Sequence, residues 1–418
     1  MLRFQTVLAA LCAALAPAAL CAAPALAQPV PLQPLIDATP IAGTLRLEPG
    51  VYAGPVRLER PITIEGDGKA TIDGGGKGTV VTVATNGATL AGLRIVNSGM
   101  LHDTLDAAVQ VRGRYNILKD NRIEDCLIGI DLHKADNNVI RRNLIRPRSE
   151  EIGLRGDGIR LWYSMENAVQ DNTVENARDT VIWYSKNNTL TGNRLIGGRY
   201  GFHFMFAKEN VARNNVFEGN TVGVFLMYSE GVEIRHNRIV HTQGPSGMGV
   251  GLKESSGVTI VDNDILSNAT GIYTDLSPHD PDHPVVVEGN RIAYNGMAMM
   301  FHNDWEGVQV RRNDFVGNFG TVAVQGGGTA LRHEWAGNHW DGYEGFDRNR
   351  DGTGDSPYEV YAYADRLWMD VRDAQFFRAS PMLELLDFME RLAPFNTPKL
   401  VLRDATPSLR PVATRPAS

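Results

Sequence analysis

Short apolar runs alternate with polar corners along most of this chain. The pattern apolar-x-x-Asn-x-apolar returns every 21 to 29 residues, at Asn121, Asn143, Asn172, Asn193, Asn214, Asn237, Asn263, Asn290, Asn313 and Asn338. An eleventh copy, Leu90 to Ile95, carries Leu93 in the Asn place. Self-similarity with such a period predicts a solenoid, in which each repeat buries its apolar face only against its neighbours. The runs are short, β-rich and broken by Gly and Asp from Gly50 to about Trp340, with no helical pattern between them. The predicted fold class is therefore all-β, a parallel β-helix of about 11–12 turns; propeller blades would need about 40 residues each. The ladder asparagines are expected to stack their amides at a turn and to tolerate its left-handed backbone.

The asparagines also act as a ruler. Most motifs follow a strand that begins eleven residues before the motif's first apolar residue. With that start as place zero, places one and three are apolar, as in Ile130 and Leu132, Phe202 and Phe204, or Val224 and Leu226. Strand alternation points them inward, so places two and four face outward. Place four reads His133, Trp162, Trp183, Met205, Met227, Lys253, Asp275 and Met300; place two reads Asp131, Arg160, Val181, His203, Phe225, Gly251, Tyr273 and Ala298. The Met205 turn takes a one-residue gap in this alignment, and the Met300 turn a three-residue insertion.

An outward face should be polar, and this one carries Met, Trp, Phe and His. Either a loop or the C-terminal segment covers it, or it is a soft-ligand surface, since thioether and imidazole together select Cu(I) over harder metals. The candidate Cu(I) ligands are His203, Met205, Met227, Met300 and His302, holding the ion transiently. Met297 and Met299 fall in inward places and read as core.

Other segments change the picture less. Residues 28–45 form an entry segment to a β-helix that runs to 340, and residues 341–379 are a Gly/Asp-rich, aromatic cap. Residues 381–392 predict a helix with Ser380 as N-cap and Pro381 at its first position. Its apolar stripe is Met382, Leu385, Leu386, Met389 and Leu392. The Pro-rich tail from Pro394 is expected to be extended or disordered. Asp347, Asn349, Asp351 and Asp355 have the alternating oxygens of a calcium loop, but Tyr358 stands where such loops place a glutamate, so a plain turn competes with a Ca²⁺ site. The insertion from Ser277 to Pro284 holds His279, Asp280, Asp282 and His283 among three prolines. It reads as a rigid loop, a metal clasp or a catalytic element.

Residues 1–27 read as a secretory signal, with Arg3, an apolar run from Val7 to Leu20, and Ala25-Leu26-Ala27 before the cleavage point. Export to a bacterial periplasm is the expectation. Cys12 and Cys21 leave with the signal, so Cys126 stands alone and reads as a small buried hydrophobe. Loss of Arg3 moves the formal charge from −7 to −8, and nothing in that balance suggests a nucleic-acid partner.

The repeats, the GFHFMF and FLMYS strands, the WDGYEGFDRNRDGTGDSPY segment and the amphipathic helix resemble the NosD family, periplasmic maturation factors of nitrous oxide reductase. The resemblance implies a right-handed parallel β-helix with no catalytic residues. It implies partnership with the membrane and ATPase subunits of an ABC transporter. Copper would come from a copper-chaperone lipoprotein and go to the centres of nitrous oxide reductase. Two rivals stand beside it. A carbohydrate-active β-helix enzyme is one, because Pro278-His279-Asp280 is similar to part of an alginate epimerase motif, although Ser277 replaces its leading Asp. A metal-free structural adaptor is the other.

Overall fold

The computed structural model describes residues 28–148, 151–242, 244–362 and 398–412, together with 380, 381, 385, 388, 389, 392 and 393. The signal segment, Met382 and Leu386 lie outside the described residues. The chain winds into a parallel β-solenoid of about 13 turns. That is more than expected, because the first coils lack ladder asparagines. Each turn contributes one longer strand to a twelve-stranded sheet and two short strands to the other walls. One turn is Ile117–Lys119, Arg122–Glu124 and Ile128–His133; the next is Val139–Arg141, Leu144–Arg146 and Ile159–Trp162.

Identical places stack from turn to turn. Leu118 pairs with Ile140, Ile123 with Ile145 and Ile130 with Ile159. The resulting columns of Ile, Val, Leu and Phe make one continuous apolar core. Cys126 is fully buried, and burial pushes its thiol up to about 11, so it stays protonated.

Each corner between the two short strands buries a backbone N–H that no strand partner can satisfy. The asparagines solve this. Asn143 accepts from the N–H and the side-chain amide of Asn121, and donates to Leu118 O and to Asn172 Oδ1. The left-handed backbone falls one residue earlier than expected, on Asp120, Arg142, Asp171, Gly192, His236 and their equivalents, with φ between 50° and 69°. The Asn itself is the acceptor, and the residue before it makes the bend.

One rung of the predicted ladder moves. Asn215 is the member; Asn193 donates to Asn215 Oδ1, and Asn215 donates to Leu190 O and Asn237 Oδ1. Asn214 is exposed and occupies the left-handed place at φ 55°. Both Val211/Val216 and Ala212/Phe217 satisfy the apolar spacing, and only Ala212 and Phe217 are fully buried. With Asn215 as the marker, Met205 falls in place four without a gap.

Three further ladders were missed. Asn116, Asn138, Asn167, Asn188 and Asn210 line a second corner. Thr242, Asn268, Asn295 and Asn318 line a third, and serines from Ser164 to Ser277 a fourth. The five-residue offset that separates Asn116 from Asn121, and Asn138 from Asn143, was present in the sequence.

Both ends of the solenoid are closed. The helix Gln33–Ala38 and the residue before it lay Ile36 and Leu32 over the first coil. At the other end Trp340 stacks between Phe315 and Tyr358, at 4.2 and 4.6 Å between ring centroids. Of the extended or disordered tail expected from Pro394, the described part is extended and built into the fold. Lys399–Asp404 is a strand antiparallel to Tyr358–Ala362, and it buries Val401 and Leu402. Asp404 then replaces the missing next asparagine, accepting from the N–H and amide of Asn338 and from Trp340 Nε1. A carboxylate suffices there, since the last rung needs only an acceptor.

Positions 381, 385, 388, 389 and 392 are helical, as predicted, with Leu385, Phe388, Met389 and Leu392 exposed. Among the described residues no helix is long and apolar enough to cross a membrane.

The ladder assignment predicts a sharp contrast between neighbouring residues. Asn215→Ala takes the acceptor from the buried Asn193 N–H and side-chain amide and the donor from Leu190 O, and should destabilise the fold by on the order of 3 kcal/mol. Asn214→Gly, at an exposed left-handed position, should change stability by no more than about 0.5 kcal/mol. Urea unfolding of both variants measures the difference, and equal effects would restore Asn214 to the ladder.

Candidate functional site

The outward face of the twelve-stranded sheet carries the chemistry. Its place-four column is continuous: His133, Trp162, Trp183, Met205, Met227, Lys253 and Asp275 pair in that order on successive strands. Met205 and Met227 are thus direct neighbours on Tyr200–Met205 and Val222–Met227, and both are half-buried. Their inward neighbours Phe204 and Leu226 are fully buried, which fixes the outward direction of the thioethers.

His203 lies two residues from Met205 on the same face and is only 5% exposed. The rings of Trp183, Tyr200 and Phe225 surround it at 5.3, 4.9 and 6.2 Å. Nε2 has no hydrogen-bond partner, while Nδ1 faces the Asp179 carboxylate, 3.6 Å from Oδ2. Buried polar nitrogens left without partners are costly, and they commonly mark a place where an ion or water binds.

On the N-terminal side of this region runs a row of paired charges whose carboxylates are buried. Asp131 is clasped by Arg160 at 2.8 Å and Gln110 at 3.0 Å, and the Arg160 guanidinium lies 4.7 Å over Trp162. Arg178 binds Asp157 at 2.9 Å, and Arg199 binds Asp179 through both of its carboxylate oxygens. Burial pushes the Asp157 carboxyl up to about 6, against the pull of Arg178. Burial pushes Asp179 up as well, but the neighbouring His203 and Arg199 outweigh it and hold that carboxyl below the usual range. Sequence reasoning named Asp131 and Arg160 as outward residues and missed Asp157 and Arg199, which precede place zero, and Asp179, which occupies it.

Met300 departs from the expected place. It pairs with Tyr273 and so belongs to the place-two column, where Ala298 had been expected; Ala298 is core. Asn295 on the Asn268 rung sets this register, pairing Thr270 with Met297 and Ile272 with Met299. Met299 points inward as expected, whereas Met297 is corrected to the outer side. Met297 and Met300, each 8% exposed, pack with Tyr273 and Ala323 in a cluster separate from the main core. His302 is exposed beside them, its N–H bonded to Thr274 O and its Nδ1 3.2 Å from the Tyr273 hydroxyl. Three strand spacings of about 4.8 Å separate its turn from that of Met227. The five predicted ligands therefore form two groups.

In the loop after Trp340, Asp347 accepts the N–H groups of Arg350, Asp351 and Gly352, while Asp351 accepts that of Thr353 and Asp355 that of Arg348. Asn349 bonds to Asp351. The loop's carboxylates thus serve its own backbone. Among the described residues no three His, Cys, Asp or Glu side chains converge on a metal position. In the 277–284 insertion, Ser277 ends the serine ladder and Pro278 O accepts Trp305 Nε1 at 2.7 Å. His283 Nδ1 pairs with Asp280 at 2.8 Å and His279 is exposed, a tied loop apart from the methionines.

The family model and the curated relatives point to one family. The model of a family described as "Periplasmic copper-binding protein (NosD)" matches residues 145–345, a range that contains both methionine groups. A Pseudomonas aeruginosa protein named "Probable ABC transporter binding protein NosD" is 28% identical over 408 residues, covering 90% of each chain. A Stutzerimonas stutzeri protein of the same name is 27% identical over 367 residues, 84% of this chain and 83% of that one. Among solved structures, the A-module of the Azotobacter vinelandii mannuronan C-5 epimerase AlgE6 superposes with a TM-score of 0.55 at 18% identity. It covers 70% of this chain and 90% of that one, a likeness of fold alone. The family model, which spans just under half of the chain, and both relatives carry the same name, so the family this chain is similar to is NosD.

Proposed function

We propose that this chain is a periplasmic, non-enzymatic accessory protein that passes Cu(I) to nitrous oxide reductase during assembly of its copper centres. Its partners are the membrane and ATPase subunits of an ABC transporter and a copper-chaperone lipoprotein that supplies the ion. The observation that carries this reading is the Met205–Met227 pair on adjacent strands beside His203, whose buried Nε2 lacks a partner while Nδ1 faces Asp179. Two thioethers and an imidazole are neutral, soft and exchangeable, which suits transient Cu(I) and discriminates against Ca²⁺ or Mg²⁺.

The exposed stripe of Leu385, Met389 and Leu392 supports a second element of the proposal, docking of the 381–392 helix on the transporter. Such a surface fits a helix-in-groove contact. Truncation at Ser380 would also remove the strand and the aspartate that close the solenoid, so point substitutions are the cleaner probe.

Anaerobic Cu(I) titration against a competing chelator tests the metal reading. Met205→Leu/Met227→Leu, near-isosteric and foldable, should lose binding in this region and slow reductase maturation. Unchanged affinity together with unchanged maturation removes the site. For docking, Leu385→Glu/Leu392→Glu should keep the melting temperature and lose co-purification with the transporter; retained co-purification sinks the helix contact.

A further inference from the structure

The two methionine groups are too far apart to share an ion. From the Met227 turn to the Met300 turn is about 14 Å of sheet at about 4.8 Å per strand, against metal–sulfur bonds of about 2.3 Å. Lys253 and Asp275 fill the place-four column between them, one a cation and the other a hard oxygen donor. Neither suits a path of bound Cu(I).

The far group is built as a site in its own right. Met297, Met300 and His302 project from the same outer side of one strand and its end, and Met297 and Met300 pack together on Tyr273. His302 stands at the open edge of that cluster. The Tyr273 hydroxyl, from the preceding strand, meets its Nδ1 at 3.2 Å. That contact turns the ring so that Nε2 is the nitrogen left for a ligand. Metal-bound histidines are oriented in this way, with the other ring nitrogen donating to an oxygen of a neighbouring group. Gln325 Nε2 also lies 3.7 Å from the Met300 sulfur, a weak contact that holds the thioether in place.

Resting on the copper reading above, we infer that the outer face carries two separate Cu(I) centres, the second formed by Met300 and His302, with Met297 packed behind Met300 and Tyr273 as the positioning residue. In the loaded state His302 Nε2 binds the ion, and Nδ1–H donates to the Tyr273 oxygen. Two centres on one face give the carrier an acceptor place and a donor place, so that an incoming ion need not wait for the outgoing one.

Anaerobic Cu(I) titration of the full chain decides it. Wild type should bind two equivalents; Met297→Leu/Met300→Leu and Met205→Leu/Met227→Leu should each bind one, and the fourfold variant none. In the Met205→Leu/Met227→Leu background, Tyr273→Phe should weaken the remaining equivalent about tenfold without lowering the melting temperature. Nitrogen NMR with Ag(I), a redox-inert stand-in, should place the metal on Nε2 of His302 in that background, a signature that packing alone cannot produce. Two equivalents retained by Met297→Leu/Met300→Leu would overturn the second centre and leave the first standing. One wild-type equivalent, lost with either pair alone, overturns the two-centre arrangement. No copper bound by wild type overturns the copper reading as well.

Discussion

Everything in this solenoid depends on what happens to the backbone at its buried corners. A parallel strand pair satisfies its own N–H and C=O groups, but a corner turned inside the molecule does not. Here each such N–H meets a side-chain oxygen from the next turn, and each amide in turn donates to a carbonyl and to its successor. Four columns of Asn, Ser and Thr run along the axis in this way. Buried polar groups that lack partners cost about 1–3 kcal/mol each, so a turn that slips by one residue loses its corner as well as its apolar alignment. The register between turns is consequently rigid, and rigidity along the axis lets Met205 lie beside Met227 rather than merely in the next repeat.

The same register sorts the outer face into distinct chemistries. Toward the N-terminal side, Asp131, Asp157 and Asp179 are buried and paired with Arg160, Arg178 and Arg199. Breaking such a pair leaves an unpaired buried charge, so these residues act as a group. Toward the C-terminal side the columns turn to Met, Phe, Tyr and His, with Lys253 and Asp275 between the two methionine groups. His203 stands at the border, with Asp179 on one side and the thioethers on the other. A soft neutral surface next to a fully paired ionic one presents few charges to attract hard cations, and it leaves the sulfur atoms as the available donors.

The solenoid itself was legible because its period is long and its corners reuse one residue type. The inward and outward alternation of Ile130, Leu132, Phe202, Phe204, Val224 and Leu226 was legible for the same reason. The misreadings have local causes. Asn214 and Asn215 both fit an apolar spacing, and only the depth of Ala212 and Phe217 separates them. Met300 was misplaced because the Asn268–Asn295 ladder that governs its strand had not been recognised. The tail was judged by its prolines, whereas burial of Val401 and Leu402 and the acceptor demand of Asn338 hold it in place.

Period, alternation and the stacking of like places follow from the order of residues, since they depend on spacing along one chain and on the need to bury apolar side chains. The opening asparagine count therefore carried the fold and the adjacency of two methionines. Grouping the ligands required the third dimension. Whether Met297 packs with Met300, whether Tyr273 reaches His302, and whether His203 faces Asp179 all depend on neighbours that lie 20 to 30 residues away in sequence. Those neighbours are set by corner ladders and loop lengths, whose effect is felt only when the turns are stacked.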